Sequence, residues 1–149
     1  MITYQVEQFE EVKHQIVEMA REHWREVEYY QDEIPLDIDL DKYQLMNDAG
    51  MIKIITVRNQ SQLVGYIAML IHLHPHHKNT LYAMNDMFYI LPEFRKGRTG
   101  IEIFKFTEEV MRAEGVKIML LSCKAHLDKG TIFKRLGFIP AEISYSKLL

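Results

Sequence analysis

The chain is 149 residues long, 48% hydrophobic and 26% charged. That size and balance predict a single globular domain, residues 1–149, able to bury a core without disulfides or a structural metal. A formal net charge of −3 argues against a sequence-independent nucleic-acid binder, and the lone Cys123 excludes an internal disulfide and any multi-cysteine metal centre. The longest apolar run, Leu63–Ile71, falls far short of the ~20 residues that span a bilayer. The opening Met1–Gln5 has neither a basic nor an apolar signal region. The expectation is a reducing, cytoplasmic setting with no membrane partner.

Met1–Val6 reads as a strand. From Phe9 to about Val27 the apolar residues Phe9, Val12, Ile16, Ala20 and Trp24 recur near helical spacing, with charged residues between them. Glu26–Asp41 is a loop containing Pro35, and Asp41 to Asp48 a short helix closed by Gly50. Met51–Val57 is rich in β-branched residues and predicts a strand. The turn Asn59–Gln62 links it to a second strand, Leu63–His72, as a hairpin. A loop over Pro75–Asn79 leads to a long strand, Thr80–Leu91. After a polar stretch, a helix starts near Ile101 and ends at Gly115. Val116–Ser122 is continuously apolar and predicts a strand buried on both faces. A helix over Asp128–Leu136 and one or two final strands over Ile139–Leu148 complete the order β-α-α-β-β-β-α-β-α-β, a mixed α/β sheet.

The most informative segment is Tyr89–Gly100, where a strand runs through a basic, glycine-containing loop into a helix. Unpaired N–H groups and the dipole at a helix start favour anions. Gly97 and Gly100 permit close backbone approach, and Arg95, Lys96 and Arg98 place three cations in four positions. An ordinary solvated loop is the alternative. The segment is neither a P-loop nor a dinucleotide fingerprint, because no Gly-Lys-Ser/Thr follows and there is no Gly-x-Gly-x-x-Gly.

Leu91-Pro92-Glu93-Phe94-Arg95, followed by this loop and later by Ile132-Phe133-Lys134-Arg135-Leu136-Gly137-Phe138, resembles the GNAT superfamily of acyl-CoA-dependent N-acyltransferases. The two motifs stand in that family's order and separation, and small bacteriophage-encoded members look most similar. The resemblance implies a mainly antiparallel sheet flanked by helices and acetyl-CoA as cosubstrate. It places the pyrophosphate against Arg95, Lys96, Gly97, Arg98, Thr99 and Gly100. The pantetheine arm would run beside Phe88, Tyr89 and Ile90, with His126 and Phe133 further along it. A homodimer is allowed, and for a phage-encoded protein the setting would be the host cytoplasm. Two departures stand out. The family's central loop glycine falls at Arg98, with Gly97 one place earlier. Phe133 stands where many members carry a tyrosine that protonates the leaving thiolate, and phenylalanine has no proton to give.

Acyl transfer to an amine needs a proton acceptor, an oxyanion donor and a stabilised thiolate. Asp86, whose parity partners are Met84 and Phe88, is the candidate base. An apolar face would desolvate its carboxyl, and the alternative is an aspartate at a β-bulge or paired with a nearby arginine. The family's oxyanion donor is a backbone N–H near Phe88–Ile90. Glu26–Asp41 holds seven of the 21 acidic residues and no lysine or arginine. That stretch, with Tyr29, Tyr30 and Glu33 at the mouth, would concentrate a cationic amine; a solvated loop is the alternative. The run His72-Leu73-His74-Pro75-His76-His77 is read as solvent-facing and not as a metal site, and Cys123 as a packed thiol. Three functions follow: an N-acetyltransferase acting on a primary amine of a cationic acceptor, a non-catalytic CoA-binding or assembly module of the same fold, or a metal-binding or regulatory α/β protein unrelated to CoA.

Overall fold

The computed structural model describes all 149 residues. The elements are β1 (Ile2–Glu7), α1 (Phe9–Val27), α2 (Leu40–Asp48), β2 (Ile52–Asn59), β3 (Gln62–His74), β4 (His77–Ile90), α3 (Thr99–Ala113), β5 (Ile118–Leu120) and α4 (Gly130–Arg135). Single 3₁₀ turns cover Pro92–Phe94 and Ala125–Leu127. The strands form one sheet in the order β1-β2-β3-β4-β5, antiparallel except for the parallel pair β4/β5.

Helices cover both faces. The apolar stripe of α1, Phe9, Val12, Ile16 and Met19, packs with Ile52, Ile54, Leu63, Tyr66 and Ala68. On the other face Ile103, Phe104 and Met111 of α3, with Phe133 of α4, pack on Ile55, Val57, Val64, Ile67 and Met69. The apolar run of β3 is thereby buried on both sides, which is why it shows no polar alternation.

Three elements differ from the sequence-based expectation. The loop over Pro75–Asn79 is a tight hairpin turn, with β3 running to His74 and β4 starting at His77. The strand over Val116–Ser122 shrinks to Ile118–Leu120, and it is an edge strand with Ile118 39% exposed. Its apolar run carries the composition of a central strand, but only β4 pairs with it. Residues 139–149 form no strand, and Ile139, Ile143 and Tyr145 are exposed. Alternation alone does not make a strand without a neighbour to accept its backbone hydrogen bonds.

A polar knot fastens β1 to β2. Arg58 donates from Nη2 to Glu7 Oε1 (2.9 Å) and from Nε to Glu7 Oε2 (3.0 Å), while Thr56 Oγ1 also donates to Glu7 Oε2. Both charged side chains are nearly covered, at 12% and 14% exposure. Burial works against ionisation of Glu7, but the hydrogen bonds from Arg58 and Thr56 outweigh it and hold the carboxyl below its ordinary 4.5. A depressed folded value adds stability that is full above the ordinary value and lost as pH falls through the folded one. Glu7→Gln leaves Arg58 without its counter-charge and should cost about 3 kcal/mol at neutral pH. Urea titrations at pH 7 and pH 3.5 should show this gap narrowing in acid; a gap of equal size at both would contradict the account.

Candidate active site

The parallel ladder between β4 and β5 is short: Tyr82, Ala83 and Met84 pair with Ile118, Met119 and Leu120, and there it stops. The next residue, the buried Asn85, donates from Nδ2 to the Ser122 carbonyl (3.0 Å) and accepts the Ser122 N–H at Oδ1 (2.7 Å). A side-chain amide here replaces a backbone amide. It satisfies the same two groups while holding the strands one side chain further apart. One residue on, register slips: Asn85 pairs with Met69 and Met87 with Ala68, so Asp86 is the extra residue of a β-bulge. Beyond the bulge β4 remains paired to β3 up to Ile90. Gly65 opposes Ile90, and a Cβ there would lie 2.9 Å from the Tyr89 carbonyl and from Ile90 Cγ1. Only glycine admits so close an approach.

The parted strands open a cleft of about 810 Å³, walled by the end of α1, the β4 segment Asn85–Ile90, Gly100 of α3 and residues around Ser122–Lys129. At one end of this wall, Gly97 adopts φ +73° and turns the chain into α3. The displaced glycine thus supplies the tight turn. No side chain caps α3, and the Arg98 carbonyl takes the N–H groups of both Ile101 and Glu102 (2.9 Å each). A Cβ on Gly100 would meet nothing within 4 Å, so the backbone there is open to approach. The exposed Arg98 pairs with Glu102 (2.9 Å) through Nε, and Lys96 forms no ion pair.

Arg95 is bound inward. Its Nε donates to the Ile90 carbonyl (2.7 Å), and its two Nη groups clamp the Glu26 carboxylate at 2.6 and 2.7 Å. The guanidinium lies 5.1 Å from the Tyr89 ring centroid, and Tyr89 Oη donates to Glu26 (2.8 Å). The Arg95 hydrogen bonds hold the Glu26 carboxyl below its usual range. Burial, then Glu26, pushes the Tyr89 phenol up to about 12. Arg95 therefore ties the loop to α1.

Asp86 is exposed at the bulge, which is the alternative the sequence left open. The bulge breaks the period of two, so Phe88 turns instead into an aromatic cluster with Phe104 (5.3 Å) and Phe133 (6.4 Å). Asp86 Oδ2 accepts a 2.5 Å hydrogen bond from Tyr43 of α2. Phe133, only 8% exposed, belongs to that aromatic core, and its neighbour Ile132 faces the cleft. His126 is exposed on the 3₁₀ turn, its ring 6.1 Å from that of Tyr29.

Tyr29, Tyr30 and Glu33 do not line the cleft, whereas Leu36 and Ile38 of the same loop do. Tyr30 Oη instead lies 3.1 Å from Ser146 Oγ. Part of the acidic stretch is already engaged. Glu26 is held by Arg95, Glu28 pairs with Lys124 (3.5 Å), and Asp39 caps α2 at the Lys42 N–H (2.9 Å). Cys123, half-buried, packs against the α3-side core as expected and also lines the cleft, its sulfur accepting the Lys129 N–H (3.2 Å). The histidines of the β3–β4 hairpin gather around Tyr82, and no three metal-binding side chains are placed to hold an ion.

His23 escaped the sequence reading. It stacks on Tyr89 at 4.8 Å, and its Nδ1 lies 2.7 Å from the buried Tyr66 Oη. Burial lowers its pKa to about 4, so the ring in the cleft wall is neutral at physiological pH. The signal was its place on the apolar stripe of α1, three and four residues beyond Ala20 and Met19. For Asn85 the signal was a polar Asn-Asp pair inside an apolar strand.

No protein-family model and no curated protein matches the sequence. Solved structures do match in fold. An aminoglycoside acetyltransferase from an uncultured soil metagenomic sample, in complex with sisomicin, superposes with TM-score 0.76 at 9% identity, covering 99% of this chain and 96% of its own. A predicted acetyltransferase from Clostridium acetobutylicum, solved with acetyl-CoA, gives 0.74 at 13% identity, covering 100% and 96%. Glucosamine-6-phosphate N-acetyltransferase from Arabidopsis thaliana gives 0.74 at 10% identity, covering 99% and 98%. The chain has the GNAT fold, as its two sequence motifs implied.

The Asn85 bridge is directly testable. Asn85→Ala strips the Ser122 N–H and carbonyl of their partner and should cost about 1–3 kcal/mol in denaturant unfolding. An unchanged unfolding midpoint would show that the bridge does not hold the strands.

Proposed function

We propose that this protein is an N-acetyltransferase that moves an acetyl group from acetyl-CoA to a primary amine of a cationic acceptor. The observation that carries this reading is the cleft itself: two parallel strands part at Asn85, and the same cleft reaches Gly100 on an uncapped helix start behind a basic loop. Such an opening offers a free strand edge to an extended amide-bearing arm and backbone N–H groups to a diphosphate. Phe88, Tyr89 and Ile90 line the arm's course. The Lys96–Gly100 backbone receives the phosphates, with Lys96 and Arg98 adding positive charge and Arg95 holding the loop in place through Glu26.

The acceptor amine reaches the thioester as an ammonium and must lose a proton before its lone pair can attack. Asp86, exposed on the bulge and in the cleft wall, is the carboxylate placed to take that proton directly or through one water. Because β5 pairs with β4 only up to Met84, backbone N–H groups on that edge of β4 have no strand partner beyond it and can meet the carbonyl oxygen that gains charge in the tetrahedral state. The nitrogen then gives its second proton to water, and collapse of that state breaks the carbon–sulfur bond and releases the thiolate, which takes a proton from solvent. Of the acidic stretch, Asp32, Glu33, Asp37 and Asp41 have no cationic partner and remain available to attract the acceptor.

The non-catalytic CoA-binding reading rests on one observation, the burial of Phe133 at the position of the usual proton donor. The two readings separate in one experiment. Both predict that CoA at ~100 times its dissociation constant stabilises the fold by roughly 2.7 kcal/mol. Only the enzyme releases thiol from acetyl-CoA when offered a panel of primary amines: a polyamine, an aminoglycoside and a lysine peptide. In that assay Asp86→Asn should lower turnover about 10²–10⁴-fold and leave CoA stabilisation intact. Full turnover in the variant would remove Asp86 from the mechanism, and no CoA stabilisation of the wild type would overturn both readings.

A further inference from the structure

We propose that Tyr43 is a positioning residue that fixes the Asp86 carboxylate for proton transfer. The inference rests on the reading of Asp86 as the base. The bulge leaves Asp86 without a residue opposite it on β3, and no lysine or arginine pairs with it. An exposed aspartate in that position would sample several rotamers. Its one hydrogen-bonding partner is the Tyr43 hydroxyl, at 2.5 Å from Oδ2. With Oδ2 occupied, Oδ1 is the oxygen left to accept a proton.

Tyr43 is itself held firmly. Its ring stacks on Phe9 with centroids 5.6 Å apart and planes 28° from parallel. The helix that carries it is capped by Asp39 and joined to the start of α1 by Asn47, which accepts the Phe9 N–H (3.2 Å) and donates to Gln8 (3.1 Å). Burial, and next the hydrogen bond to Asp86, raise the Tyr43 phenol well above its ordinary value. It therefore stays protonated and keeps donating across the pH range in which an amine is acetylated. Two elements distant in sequence, α2 and the bulge of β4, thus converge on one carboxylate.

Tyr43→Phe removes the donor and keeps the ring that stacks on Phe9. Thiol release is measured with acetyl-CoA and whichever amine of the panel the wild type turns over fastest. Losing a hydrogen bond to a charged group predicts a kcat lower by about tenfold or more, with KM for acetyl-CoA unchanged. The decisive comparison is the double variant. If Tyr43 acts through Asp86, Tyr43→Phe adds no further loss in an Asp86→Asn background. An equal loss in both backgrounds, or wild-type kcat in Tyr43→Phe alone, would overturn the positioning role while leaving Asp86 as base. Wild-type kcat in Asp86→Asn, or no turnover with any amine, would overturn the base reading and this proposal together.

Discussion

The site depends on one substitution in a hydrogen-bond ladder: at Asn85, a side-chain amide takes the place of a backbone amide. Parallel strands joined at Tyr82–Met84 would ordinarily continue pairing, since every buried backbone group needs a partner. Asn85 meets that need for Ser122 at both its N–H and its carbonyl, so the strands separate without leaving either group unsatisfied. The bulge at Asp86 follows at once and re-aims the rest of β4. The cleft, the exposed carboxylate and the open strand edge are consequences of those two adjacent residues.

A second constraint keeps the far end of the cleft in shape. Arg95, Glu26 and Tyr89 form a charge-assisted set linking the basic loop, the end of α1 and the end of β4. Bidentate arginine–carboxylate pairs fix orientation as well as distance. An arginine that would read as a ligand from its place in the loop is thus a fastener for the loop. The neutral His23 ring, stacked on the same Tyr89, extends this packed wall toward Tyr66 and the sheet.

Much of this was legible in the sequence, and the failures have physical causes. The stripe of α1, the β2–β3 hairpin and the glycine turn before α3 are local features, set by period, turn chemistry and φ, and they formed where read. The sequence left two readings of Asp86, an apolar face by parity or a β-bulge, and could not choose between them, because a bulge shifts parity by one and only the polar Asn-Asp pair marks it. In the Glu26–Asp41 stretch, Leu36 and Ile38 line the cleft, and Glu26, Glu28 and Asp39 have structural partners that only tertiary contacts reveal. The strand over 139–148 failed because pairing depends on a neighbour, and β5 bonds to β4 alone. Phe133 reads as a lost proton donor in the motif, and in three dimensions it is a core aromatic.

The proposed reading has acetyl-CoA in the opening beyond Asn85, with its diphosphate on the α3 N-terminus and its arm along β4. Amide hydrogen exchange with and without acetyl-CoA tests this at the residues concerned. The account predicts slowed exchange in two places together, over Lys96–Gly100 and over Phe88–Ile90, with β1 and the β3–β4 hairpin turn unchanged. Protection confined to other segments, or none at saturating acetyl-CoA, would contradict it.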